Sequence, residues 1–290
     1  MKLHVENGAG LGKLVRAAAA GQLDKALGVL RGELTEARAQ DEAVHEVRKR
    51  LKEVRALVRL VREGIGDKTF CALNGALRDA GRPLSEVRDA TAVMEALEKL
   101  PGANTKVRGA LQSRRVEIRR RVIEGDKALD KARLAVEAVR AECESWKVDG
   151  GWRTLAAGLE GAYRKGRKRM GEALGTDEDE AWHAWRKRVK DLRHQVEMLS
   201  PLWPRGLKAL AKEAHGLTDL LGDDHDLAVL AGLAPGLAKA VAPRREHLRR
   251  LARALGARLF AEKPAAFVKR VHQYWRARED ADGESAAEGD

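Results

Sequence analysis

An eleven-residue basic segment occurs twice in the chain. Residues 45–55 read H-E-V-R-K-R-L-K-E-V-R and residues 183–193 read H-A-W-R-K-R-V-K-D-L-R. His45, Arg48, Lys49, Arg50, Lys52 and Arg55 thus recur as His183, Arg186, Lys187, Arg188, Lys190 and Arg193, each 138 positions later. Matches at six polar positions are hard to obtain by chance, even with 36 Arg and 20 Lys in the chain. A duplication constrains the architecture more than any local propensity does. A weaker echo aligns residues 84–93 with 221–230, Leu84-Ser85-Glu86-Val87-Arg88-Asp89 matching Leu221-Gly222-Asp223-Asp224-His225-Asp226. The halves, 1–147 and 148–278, meet where Asp149, Gly150 and Gly151 supply turn chemistry. Residues 279–290 carry six acidic side chains and no basic one, and read as a disordered acidic tail.

Each half reads as helices. Only three residues are Ile, aromatics make up 4%, and Ala, Leu, Arg and Glu dominate. Strands prefer β-branched and aromatic residues, so an α/β core and a β-sandwich are excluded and an all-α fold is expected. Helices are expected over 22–38, 40–63, 66–80, 83–100 and 104–145, the last with a break near Gly125-Asp126. The second half gives 152–174, 178–200, 205–220, 223–241, 244–262 and 264–278, and a short helix fits near 10–19. Pro101-Gly102 and Ser200-Pro201 end helices, and Thr176 reads as a cap ahead of four acids. Cys71 and Cys143 lack metal-site spacing and read as reduced thiols. The N-terminus has no apolar signal core, and the longest uncharged apolar-rich stretch, Leu227 to Ala238, is short of the roughly 18 residues of a membrane span. The expectation is a soluble, cytoplasmic protein with no membrane partner.

The repeated helix carries two stripes. Val44, Val47, Leu51, Val54, Val58 and Val61 fall at alternating spacings of three and four, which is an apolar seam. His45, Arg48, Lys52, Arg55, Arg59 and Arg62 follow the same rhythm one residue on, about 100° around the helix. In the second copy the seam is Trp182, Trp185, Val189, Leu192, Val196 and Leu199, and the stripe is His183, Arg186, Lys190 and Arg193. Like charges at i,i+4 destabilise a helix, so a cationic stripe kept in two copies implies a bound anion. The net charge of +12, which becomes +18 over residues 1–278, agrees with an anionic partner. Arg also predominates over Lys, and its planar fork grips phosphate oxygens in pairs. The clusters Arg114–Arg121, Arg164–Arg169 and Arg244–Arg253 read as solvated faces.

The duplicated H-x-x-R-K-x-x-K-x-x-R helix, each copy followed by L-G/S-x-x-R/H-D, resembles the CHAD family, the "conserved histidine α-helical domain". The likeness runs over roughly residues 10–278. It implies two four-helix-type bundles related by a pseudo-two-fold, with basic helices lining a shared groove or pore. It implies inorganic polyphosphate as the ligand, location at polyphosphate granules, polyphosphate-metabolising enzymes or granule proteins as partners, and no catalysis. Carried over by position, the ligand set is His45, Arg48, Lys49, Lys52 and Arg55 with His183, Arg186, Lys187, Lys190 and Arg193. Arg88 and His225 add to it, although the two copies differ there. Ser85 stands where the family usually has the Gly found at Gly222, and His194, where an aromatic is common, reads as peripheral.

Two other functions compete with this one. Single-strand nucleic-acid binders interleave aromatics with cations, whereas Trp182 and Trp185 lie in the apolar phase. Backbone-only binding of nucleic acid stays open as the alternative. The tetrad Asp223-Asp224-His225-Asp226 resembles that of HD-type metal phosphohydrolases, but the first half has Arg88-Asp89, and Arg is no metal ligand. No H-E-x-x-H occurs, and no paired carboxylates flank the stripes for Mg²⁺. The expectation is therefore no catalytic residue, no metal and no cofactor.

Overall fold

The computed structural model describes residues 1–3, 10–100 and 105–287, with side chains described up to residue 279. The described residues form helices joined by short turns, with no strand among them, so the fold is all-α. The first half contains α1 (Leu11–Leu30), α2 (Ala37–Leu60), the single turn α3 (Arg62–Ile65), α4 (Asp67–Gly81), α5 (Ser85–Glu98), α6 (Thr105–Arg119) and α7 (Ala128–Cys143). The second contains α8 (Trp152–Leu174), α9 (Asp179–Met198), α10 (Pro204–Leu233), α11 (Ala238–Leu259) and α12 (Pro264–Ala287).

The seams position the motif helices. Every residue of the first seam is at most 2% exposed and every residue of the second at most 3%. Burying side chains of this size contributes about 1.5–3 kcal/mol each, so the seams fix which face of α2 and α9 turns inward. Helix α1 packs on α2 as α8 packs on α9, following the repeat, and α2 also packs directly on α8 and α9. Gly158 permits that approach, because a Cβ there would stand 1.9 Å from the Leu60 carbonyl oxygen. One continuous apolar cluster, from Leu3 to Trp275, contains both seams. A smaller cluster joins α5 and α6 to α10 and α11.

The connection between α7 and α8 is tied down. Gly150 takes φ +84°, the left-handed region that favours glycine. Asp149 donates its N–H to the Gly64 carbonyl at 3.0 Å and accepts from Thr154 Oγ1 at 2.9 Å.

Several expectations about elements need correction. The segments 205–220 and 223–241 form one helix up to Leu233, whereas the matching stretch of the first half breaks between α4 and α5. Pro83 lies at that break, and a proline cannot donate to a helix ladder; Leu220 stands opposite it in the repeat. The stretch 104–145 breaks where expected, but through a π-helical turn, Arg120–Gly125, followed by Lys127 at φ +54°. Thr176 does not cap α9, which starts three residues later. Its Oγ1 accepts from the Glu178 N–H at 3.2 Å instead. Helix α12 continues to Ala287, into the acidic segment. Its first turns are anchored by Phe267 and Val271, each 1% exposed. Residues 288–290 and the break expected at Pro101-Gly102 lie outside the described residues.

A cationic groove between the two motif helices

Helices α2 and α9 lie side by side, and their cationic stripes meet across one groove. The Lys52 ammonium has Arg48, Arg186 and Arg88 as like-charged neighbours against Asp89, and Lys190 has Arg186, Lys52 and Arg193 against Asp226. Cations from both copies therefore repel one another at the centre. Burial first, and then Arg186 and Lys52, push the Lys190 ammonium down to about 6. Lys52 is lowered by burial and by Arg48 and Arg186. Its side chain meets solvent along the groove while protein atoms crowd its other sides.

On the α4 side the groove deepens into a depression of about 390 Å³. Arg48, Lys52 and Arg55 enter it from α2, Arg78 and Arg82 from the end of α4, and Lys187 from α9. No carboxylate lines it. Buried nitrogens at the groove lack partners: Arg48 Nε, Arg186 Nε and the His183 ring Nδ1. A buried polar group left unpaired costs about 1–3 kcal/mol, and two of these three are the same atom of equivalent arginines.

The echo segment acquires a role from this geometry. Arg48 Nη1 donates to the Gly81 carbonyl at 2.9 Å and to Ser85 Oγ at 2.5 Å. In the second copy Gly222 faces Arg186, and a Cβ there would stand 3.1 Å from Arg186 Nη2. Ser85 and Gly222 are thus the seats of the two motif arginines. His183 stacks on His225 with ring centroids 3.8 Å apart. Burial and the neighbouring His225 push His183 down to about 3, and burial lowers His225 as well, so the stack is uncharged at neutral pH.

Other expected residues lie nearer the edge. His45 and Lys49 are exposed towards the start of α2, where Lys49 pairs with Glu46 at 3.1 Å. Arg88 is held by Glu95 through two hydrogen bonds of 2.9 and 3.1 Å. Arg55 Nε donates to Asn74 Oδ1 at 3.1 Å, and Arg193 contacts His215 Nδ1 at the same distance. The stripe ends sooner than its spacing implies: Arg59 pairs with Asp191 at 2.9 Å and Arg62 with Asp67 at 2.8 Å. Sequence reasoning missed Arg78 and Arg82, which lie on α4 and just after it and belong to no repeat. Asp226, weighed in the sequence only as a metal-ligand candidate, is a half-buried acid beside Arg186 and Arg88 whose carboxyl is raised by burial.

The Asp223–Asp226 tetrad divides among separate partners. Asp224, 2% exposed, accepts from Arg245 at 3.0 Å and Arg249 at 3.2 Å. Both arginines also contact Asp179 at the start of α9. Asp223 pairs with Lys99 at 2.9 Å. Arg245 and Arg249, read from sequence as a solvated face, instead tie α11 to α9 and α10. Among the described residues no three His, Cys, Asp or Glu are grouped to hold a metal ion. Nor is any described helix long and apolar enough to cross a membrane.

Fold and site together define an all-helical domain whose two repeated basic helices share a cation-lined groove. The chain belongs to the CHAD family: the family model for the CHAD domain matches residues 21–235. Among solved structures it is similar to the crystal structure of the CHAD domain from the plant Ricinus communis. That match has a TM-score of 0.53 and 16% sequence identity, and covers 96% of each chain. No curated protein matches it at a significant level.

Proposed function

We propose that this chain is a non-catalytic binder of inorganic polyphosphate, held along the groove between α2 and α9. The observation that carries the reading is the depression with six cations and no carboxylate, continuous through Lys52 with the cations of the second copy. A polyphosphate chain offers anionic oxygens throughout and no bases, so it needs Arg, Lys and His but no stacking platform. No aromatic ring lines the depression. Trp146, Trp182, Trp185 and Trp275 are buried, and exposed Trp203 lies against Tyr274. Placement at polyphosphate granules follows from such binding and is part of the same proposal.

Binding is expected to take up protons. In the free protein Lys190 is held down to about 6 and Lys52 is lowered; a bound polyanion favours their charged forms and raises both. Between the free and bound values the complex holds more protons than the free protein, so affinity falls as pH rises through that interval. Below about 6 Lys190 is charged in both states and ceases to contribute. Titration calorimetry with long-chain polyphosphate, in two neutral buffers of different ionisation enthalpy, measures the uptake. Binding with zero net proton uptake would place the ligand away from these lysines, and no binding at all would end the proposal.

A further inference from the structure

We infer that Lys190 is a modification site, whose amine takes an acyl group from an acyl phosphate while Arg186 holds the phosphate of that donor. The inference goes beyond polyphosphate binding and does not depend on it.

The two motif copies differ at this point. Arg48 and Lys52 stand one turn apart on α2, as Arg186 and Lys190 do on α9. In the first copy the Gly81 carbonyl and Ser85 Oγ occupy Arg48 Nη1. In the second, Gly222 has no side-chain oxygen to offer, and the Arg186 guanidinium makes no hydrogen bond or salt bridge among the described residues. Its Nε is buried and unpartnered. The planar fork is thus free to take two oxygens of a phosphate.

Lys190 is the matching nucleophile. Residues at i and i+4 are neighbours on a helix surface, so its amine stands beside a phosphate seated on Arg186. Arg186 and Arg193 face the amine from α9 and Lys52 from α2, against Asp226 of α10. His194, one turn further on, is buried and uncharged at neutral pH. No carboxylate pairs with Lys190 among the described residues. Partly buried amid three cations, the amine is held down to about 6 and is neutral at pH 7.5. An ordinary lysine, with a pKa of about 10.4, is only about 0.1% neutral there. Desolvation and a neighbouring cation are what activate a lysine as a nucleophile. Lys52, by contrast, is exposed and lowered only to about 8, and its arginine is already engaged.

In the step itself the neutral amine attacks the acyl carbon. The N–C bond forms and the C–O bond to the phosphate breaks. Hydrogen phosphate departs with the proton that the amine loses. The product is a neutral amide, which removes one cation from the centre of the groove.

The test treats the full chain with acetyl phosphate and follows acetylation of each lysine by peptide mass spectrometry. At pH 7.5 Lys190 is expected to react at least tenfold faster than Lys52 and Lys187. Lys187 is an exposed lysine of the same helix and meets the same local concentration of the anionic reagent. The advantage should shrink as pH rises towards about 10.4, where ordinary lysines lose their protons too. Arg186→Gln should lose most of it, since the phosphate seat and one like-charged neighbour go together, and circular dichroism checks that the variant is folded. Lys190 reacting no faster than Lys52 and Lys187 at pH 7.5 overturns the inference. So does an unchanged advantage in folded Arg186→Gln. Failure of the protein to bind polyphosphate would leave the acetylation result standing, so the two readings fail separately.

Discussion

Replacing Lys52 and Lys187 together by Glu is expected to weaken polyphosphate binding at least a hundredfold while leaving the fold intact. Both residues line the depression, one from each motif helix, and neither is in a salt bridge among the described residues. A hydrogen bond to a charged group contributes about 1.5–3 kcal/mol. Losing two such contacts costs about 3 kcal/mol or more, and each reversal adds repulsion against the anion. The fold should tolerate the change, because both side chains reach solvent and their removal relieves repulsion from Arg48 and Arg186. Arg48→Glu is a poorer test. Arg48 joins α2 to Gly81 and Ser85, so its loss would confound binding with stability. Circular dichroism beside a binding assay decides the matter: a folded double variant with wild-type affinity would remove the depression from the account.

Asp224→Ala is expected to destabilise the free protein by about 3–5 kcal/mol, the usual cost of removing one partner from a buried ion pair. The carboxylate is 2% exposed and accepts from two arginines of α11. Its removal leaves the Arg245 and Arg249 guanidinium groups, only 19% and 15% exposed, with Asp179 as their remaining carboxylate partner among the described residues. Equilibrium denaturant unfolding measures the loss. Whatever folded fraction remains should bind polyphosphate with affinity close to wild type, because Asp224 faces α11 rather than the depression. A stability loss below about 1 kcal/mol would show that this network does not hold α11 in place.

The parts of this protein legible in its sequence are those written with a period. The alternating three-four spacing placed both seams, and all twelve seam residues are buried. The duplication marked α2 and α9 as equivalent and located most of the cations of the groove. What escaped was set by contacts between elements. The end of the stripe depends on Asp191 and Asp67, which sit on α9 and α4 and neutralise Arg59 and Arg62. Spacing within one helix carries no sign of that. Arg78 and Arg82 could not be singled out, because nothing in the second half echoes them. The Ser85/Gly222 pair did leave a signal, the near-equal spacing from each motif arginine, 37 and 36 residues. Its meaning needed the fold, since one position opens a helix and the other lies inside one. The Asp223–Asp226 tetrad was misleading for a similar reason. Its most buried carboxylate serves two distant arginines rather than a site.

The most direct test of the central claim is competition at equal total phosphate, with long-chain polyphosphate, pyrophosphate, orthophosphate and single-stranded RNA displacing a labelled polyphosphate from the protein. Two cationic helices on one body gain avidity only from a ligand long enough to reach both. Each stripe spans about 15 Å from its His to its last matched Arg, at 1.5 Å per residue, so pyrophosphate fills only part of one. The account predicts that long chains compete far better than pyrophosphate or orthophosphate, that RNA competes weakly, and that the long-chain advantage falls steeply with added salt as counterion release is lost. Pyrophosphate competing as well as long chains would show a compact anion pocket instead of a polymer groove, and RNA competing equally would show a site that reads only phosphate charge.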